Sequence, residues 1–294
     1  MKAVDFDYRR PADLAETCAL LSEGGSDAKI IAGGQTLVPL LAMRLARPAL
    51  LIDINRVAEL QGIAESGGVV EIRACTRQAR ALADPMVGAK LPLLAKALSF
   101  VGHEQTRNRG TVGGSLANAD PAAEIGLAAL ALDAEMSLIS AKGARTVPVG
   151  QFFVSPMETV LAPEECLAAV RFPAWREAGR IGTGFQETSI RRSDFALAAA
   201  AVHLVLDKSG LCARIAISLG GAGAKPVRLA AVEQALTGGR LGDGEITTAV
   251  ALVHDGIEAV TDIHASAAHR RRIAGALVAR AIAEARDEAL ARQA

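Results

Sequence analysis

A chain of 294 residues exceeds one compact core, so two or three subdomains are expected, and a 51% apolar composition gives them enough side chain to bury. Aromatic residues make up only 3%, which implies close packing through small and aliphatic side chains. Lys plus Arg and Asp plus Glu number 32 each: a formal charge of zero advertises neither nucleic acid nor an anionic membrane as partner, and is compatible with a subunit of a larger assembly.

In chain order, residues 11–24 read as a helix, with Pro11 in the first turn, Leu14, Cys18 and Leu21 at helical spacing, and Gly24-Gly25 at the end. Residues 29–32 form a short buried strand, 37–45 a helical turn with Pro39 early in it, and 50–54 a second strand. Residues 68–74 alternate as a strand, while 76–83 and 92–100 have helical spacing. In Asp120-Pro121-Ala122-Ala123-Glu124, Asp120 can cap a helix, Pro121 suits its first turn and Glu124 is placed for a capping box.

Residues 135–140 and 145–148 read as a hairpin around Lys142-Gly143, and Phe152-Phe153 is expected to pack between subdomains. Another strand follows at 167–172, and residues 173–182, with Trp175 and several charges, mark a boundary. Beyond it, strands near 182–190, 196–207 and 211–219 imply an antiparallel three-stranded sheet, followed by helices at 227–237, 243–256 and 266–290. The last helix carries a basic run at residues 269–272, read as a solvated face. No period recurs, which excludes a solenoid. The class is α+β.

Cys18, Cys75, Cys166 and Cys212 are widely spread, with no CxxC pair, which argues against an iron–sulfur cluster, a zinc site or a disulfide framework in this chain. A reducing compartment is the default. The opening residues lack an apolar signal core, and no apolar stretch is long enough to span a bilayer, so a cytoplasmic protein is expected. The histidines, His103, His203, His254, His264 and His269, are scattered without HExxH, and Ser115 is not in a GxSxG elbow, so no hydrolytic constellation emerges. His203, in an apolar strand, reads as a core residue.

Two segments, residues 30–41 and 107–125, share one pattern: an apolar approach, a Gly-Gly pair, a hydrogen-bonding side chain and a further apolar run. Glycine takes positive φ and lets a ligand approach the backbone, so successive amides can converge on phosphate oxygens. Two such loops could cradle one diphosphate. Alone, a Gly-Gly turn is more often an ordinary turn or bulge. Neither segment fits GxGxxG or GxxxxGK[ST], which excludes the Rossmann and P-loop readings on spacing.

Ala32-Gly33-Gly34-Gln35-Thr36 and Thr111-Val112-Gly113-Gly114-Ser115 resemble the FAD-diphosphate loops of the flavin-carrying medium subunit of bacterial molybdenum hydroxylases. That family includes carbon monoxide dehydrogenase and the dehydrogenases of quinoline, nicotine and related N-heterocycles, with the FAD domain of xanthine dehydrogenase as a more distant relative. The likeness extends through Phe6-Asp7-Tyr8, Val101-Gly102-His103, Arg107-Asn108-Arg109-Gly110, Asp120-Pro121, Phe152-Phe153, Phe185-Gln186-Glu187 and Asp194-Phe195-Ala196, and so runs nearly end to end.

The resemblance implies a PCMH-type fold with two FAD-binding subdomains, residues 1–55 and 56–176, and a C-terminal α+β domain, residues 177–294, closing over the flavin. It places cofactor contacts at Ala32, Gly33, Gly34, Gln35, Thr36 and Leu37, at Val101, Gly102 and Thr106, and at Thr111, Gly113, Gly114 and Ser115. Further contacts are implied at Asn118, Asp120, Glu124, Leu167 and Gln186, with His103 repeating the family pattern. Backbone amides of residues 32–36 and 113–115 would neutralise the diphosphate.

The implied function is electron transfer: substrate hydroxylation at molybdopterin on a large subunit, electrons through [2Fe–2S] clusters on a small subunit, then FAD here and an external acceptor. The implied assembly is a dimer of heterotrimers, with no metal and no proton-transfer catalyst in this chain. Some relatives carry Lys where this chain has Gln186; the neutral side chain weakens the case for NAD and leaves quinone, cytochrome and oxygen open. The competing readings are a stand-alone FAD reductase or oxidase of the same fold, and a scaffold subunit that has lost its flavin.

Overall fold

The computed structural model of the chain describes residues 2–175, 178–191 and 193–292. The boundary expected at residues 176 and 177 lies outside the described residues. Three larger sheets follow one another along the chain, and a two-stranded pairing of Phe153–Ser155 with Glu158–Thr159 lies between the second and the third in sequence.

The first is parallel, with Leu50–Asp53 central between Asp7–Arg9 and Ala28–Ile31. The helix Leu14–Gly24 connects its outer strands and starts later than Pro11 suggested, because Asp13 caps it by accepting from the Glu16 amide at 2.8 Å. Its buried Leu21 packs with Ile52, Val57 and Leu60, and this cluster reaches Cys166 in the next sheet and Cys75 just past one of its strands.

The second sheet is antiparallel, in the order Ile63–Ser66, Val69–Arg73, Cys166–Pro173, Glu135–Ser140, Gly143–Pro148. Its central strand comes last in sequence and inserts between two local hairpins. Helices Pro92–Phe100 and Glu124–Ala131 supply Leu93, Leu94, Leu98, Ile125 and Leu127 to its core. Phe152 and Phe153 meet nearly edge to face, with centroids 5.3 Å apart, in a cluster that also takes in Phe185, Ala199 and Ala216 of the third sheet.

The third sheet has four strands, Arg180–Thr188, Ala198–Leu206, Cys212–Gly220 and Val227–Arg228, where three were expected. Residues 227 and 228, assigned to a helix from the sequence, pair with Leu219 and Ser218 before the helix Ala230–Leu236 begins. Every residue of Ala198–Leu206 is buried, so its alternation is lost: one face meets the second sheet's helices and the other meets the last helix, Ala267–Ala291.

Glycines seat that last helix. A Cβ at Gly182 or Gly184 would collide with the carbonyl oxygens of Ala285 and Ala281. Arg270, expected on a solvated face, is instead 3% exposed and donates to the Leu197 and Gly221 carbonyls at 2.6 and 2.7 Å and to Asp262 at 2.6 Å. It clamps the helix start to the ends of two strands. No helix among the described residues is long and apolar enough to cross a membrane.

Gly184→Ala is expected to lower stability by about 1–3 kcal/mol, because the added methyl meets main chain that cannot step aside. Urea unfolding measures this; a midpoint within experimental error of wild type would mean that the helix is not seated on the glycines.

Candidate cofactor site

The two glycine segments touch. The strand Ala28–Ile31 leads through the loop 32–36 into the helix Leu37–Ala42, and Gly34 turns the loop with φ of 72°. A Cβ on Gly33 would lie 2.5 Å from the Arg109 carbonyl oxygen and 2.8 Å from Gly110 Cα, so the second segment rests directly on the first. A side-chain bridge holds them there. Arg77 donates to the Arg109 carbonyl and, at 2.8 Å, to Asn55 Oδ1; Asn55 Nδ2 donates to the Ala32 carbonyl at 2.6 Å. Neither Arg77 nor Asn55 belongs to a recognisable motif, and the sequence reading missed both.

The second segment is not a loop. Val112–Asn118 is helical, with Thr111 as N-cap, its hydroxyl accepting from the Gly114 amide at 3.0 Å. The Val112 amide donates to the Thr76 carbonyl at 3.0 Å, Gly113 to Ala74 at 2.9 Å and Ser115 to Thr111 at 3.1 Å. These amides are therefore spent inside the chain. A Cβ on Gly113 would lie 2.6 Å from Ala74 Cα, so this glycine serves helix seating. In the first loop, by contrast, the amides of Gly33, Gly34, Gln35, Thr36 and Leu37 have no acceptor among the described residues, and Gln35 and Thr36 are exposed.

The flanking residues fall in three places. Val101 ends the helix Pro92–Phe100, and Gly102, at φ of 44°, turns the chain into Glu104–Arg109; Arg107 donates to the Val101 and Gly102 carbonyls at 2.8 and 2.9 Å. The Thr106 side chain covers Gly102, and His103 is exposed at the helix start with no capping bond. Asn118 Nδ2 lies 3.4 Å from Met157 Sδ. Asp120 accepts from the Ala122 amide at 2.9 Å, and the helix begins only at Glu124, so Asp120 closes a turn instead of capping a helix. With Pro121 and Ala122 it lines a cleft of about 390 Å³ that Ile190, Asp194 and Phe195 also line. Leu167 is buried in the cluster that holds Val112 and Leu116, beneath the second segment.

Strand parity separates Gln186 from its neighbour. Gly182, Gly184 and Gln186 face the last helix, where Gln186 Nε2 donates to Glu284 at 2.8 Å. Glu284 and Glu288 accept from Lys96 Nζ at 2.7 and 2.6 Å. Phe185 and Glu187 face the other way, Phe185 packing on Phe100 with centroids 4.9 Å apart. Glu187, quoted in the sequence only as part of a motif, has a buried Oε2 with no hydrogen-bond partner among the described residues. Burial pushes its carboxyl up to about 7; burial first, then the charges of Glu187 and Asp120, push Glu124 up to about 8.

The comparisons with known proteins agree along the whole chain. Residues 4–175 match the model of the FAD binding domain in molybdopterin dehydrogenase, and residues 183–285 that of the CO dehydrogenase flavoprotein C-terminal domain. The chain belongs to this family of FAD-binding oxidoreductase subunits. It is 39% identical to the 6-hydroxypseudooxynicotine dehydrogenase complex subunit alpha of Paenarthrobacter nicotinovorans, over 97% of this chain and 96% of that one. A solved structure of carbon monoxide dehydrogenase from Hydrogenophaga pseudoflava, described as lacking the Mo-pyranopterin moiety, matches with TM-score 0.94 and 35% identity over 98% and 100% of the two chains. Quinoline 2-oxidoreductase from Pseudomonas putida 86 matches with TM-score 0.93 and 36% identity over 99% and 100%.

The donor set fits the cofactor of this family. FAD presents a diphosphate, and the exposed first loop offers a run of uncommitted amides for one. Ser115 adds a hydroxyl that has no partner among the described residues.

The raised carboxyls also tie stability to pH. An unfolded Glu titrates near 4.5, whereas folded Glu187 and Glu124 keep their protons to about 7 and 8, so between these values the folded state binds more protons and loses stability as pH rises. The urea midpoint is expected to fall from pH 5 to pH 8, and Glu187→Gln to flatten that fall. Wild type and variant running parallel would show that the Glu187 carboxyl is solvated.

Proposed function

We propose that this chain is the FAD-carrying electron-transfer subunit of a molybdenum hydroxylase. FAD, when bound, supplies the chemistry that links two-electron and one-electron donors and acceptors. The chain's own residues bind and orient it. The free amides of residues 33–37 hold the diphosphate, Gln35, Thr36 and Ser115 add polar side chains, and Asn118, Asp120 and Glu124 line the way to the third sheet. The observation that carries this reading is the contrast between the two glycine segments. One spends its amides on its own fold, while the other leaves them open beside it.

The subdomain division proposed is 1–55, 56–176 and 177–294, with one of the three larger sheets in each. The third sheet closes over the flavin, with Val101, Gly102, Thr106 and Leu167 shaping the pocket from behind. Electrons would arrive from [2Fe–2S] clusters on a small partner subunit, after hydroxylation of an N-heterocycle or other small organic molecule on a large molybdopterin subunit. Relatives named as complex subunits support the partners. The proposed assembly is a dimer of heterotrimers in the cytoplasm.

Two measurements test this. Non-covalent FAD is expected on release from the purified chain, and Gln35→Glu is expected to weaken FAD binding about tenfold at low salt by placing a carboxylate at the exposed loop. Unchanged affinity would remove the diphosphate from this loop. Copurification with a molybdopterin subunit and an iron–sulfur subunit is expected; a chain that turns over a substrate alone would be a stand-alone flavoenzyme.

A further inference from the structure

We infer that Glu187 contacts FAD as a neutral carboxylic acid, with Glu124 as the second member of the pair, so that FAD uptake by this chain takes up a proton. The inference rests on the FAD reading above.

Geometry singles out Glu187. It lies on the face of Arg180–Thr188 that carries Phe185, turned away from the last helix and toward the start of Glu124–Ala131. Its Oε2 is buried without a partner, while its charge is felt at Glu124, as is that of Asp120. Among the described residues, the groups around it supply no counter-ion. Its partner across the sheet is Ala199. Lys96, brought to this strand by Pro92–Phe100, is committed to Glu284, Glu288 and the Thr183 carbonyl. On the last helix, Glu284 and Glu288 are held by that lysine and by Gln186 and Thr183, on the opposite face. In the following loop, Arg191 and Asp194 pair with each other at 3.8 Å.

Ionised carboxylates without a cation would oppose a cofactor that itself brings a charged diphosphate. Protonated, the same groups become hydrogen-bond donors, and the carbonyl oxygens, ring nitrogens and hydroxyls of FAD are acceptors for them. The proton comes from solvent and resides on the Glu187–Glu124 pair; no bond of the cofactor changes. Linkage then fixes the sign: binding that requires a proton weakens as pH rises past the titration of the free pair, by up to tenfold per unit for each proton.

The test is FAD affinity of the full-length, flavin-stripped chain, read by flavin fluorescence from pH 6 to pH 9. The wild-type Kd is expected to rise at least about tenfold across that range. Glu187→Gln, which keeps a donor but cannot ionise, should bind comparably at pH 6 and change less than about threefold by pH 9. Glu187→Ala should bind more weakly at pH 6. A flat wild-type profile, or a Glu187→Gln profile with the wild-type slope, overturns the inference while leaving FAD binding in place. No FAD binding by wild type at any pH would overturn both readings together.

Discussion

The site depends on a side chain that is missing. Gly33 lies against the Arg109–Gly110 peptide so closely that a Cβ has no room, and this contact joins segments far apart in the chain into one surface. Steric permission alone would not hold them. Asn55, at the end of the central strand of the first sheet, and Arg77, just before the helix Gln78–Ala83, bridge the Ala32 and Arg109 carbonyls. Those carbonyls would otherwise be left with little to accept from, and the bridge fixes the loop through its carbonyl at Ala32 without using its free amides. The loop can thus be exposed at Gln35 and Thr36 and still keep its shape, because its constraint comes from Asn55, Arg77 and the Arg109–Gly110 peptide.

Much of this arrangement was legible in the residues, and the failures are informative. The glycine segments, their order and the strand–loop–helix around residues 28–42 follow from local pattern. What local pattern could not supply was the fate of each amide. Thr111-Val112-Gly113-Gly114-Ser115 looks like Ala32-Gly33-Gly34-Gln35-Thr36 as a string, yet one is a capped helix whose amides meet Ala74, Thr76 and Thr111. Those acceptors lie up to about forty residues upstream, and spacing carries no information about them. The same limit explains Arg270: within a basic run it reads as solvated, but the carbonyls of Leu197 and Gly221 arrive from the ends of other strands to accept its hydrogen bonds.

Parity did for the third sheet what distance did for the second segment. Gln186 and Glu187 are adjacent, and a sequence motif cannot say which faces which layer. The glycines at 182 and 184 decide it, because only the even positions can meet the backbone of the last helix. Gln186 is thereby pinned to Glu284 within the Lys96 network, and Glu187 is turned toward Glu124. Had the strand register slipped by one residue, Phe185 would leave the core and the buried carboxyl would be Gln186's amide.

The distribution of charge then follows a single logic. Between the second sheet's helices and the last helix, Lys96 is shared by Glu284 and Glu288, an ion pair network whose members satisfy one another and lock the third sheet in place. On the other face of the strand, Glu187, with its Oε2 buried, and the half-buried Glu124 have no such partner among the described residues. A fold that can neutralise carboxylates on one face of a strand and leaves them bare on the other is not short of cations, with 32 Lys and Arg to place. Bare carboxyls are tolerable when they are protonated, and a protonated carboxyl in a closed site is a directed donor that water cannot replace. In a chain whose role is to hold and orient a cofactor, that donor is worth the stability it forfeits at high pH.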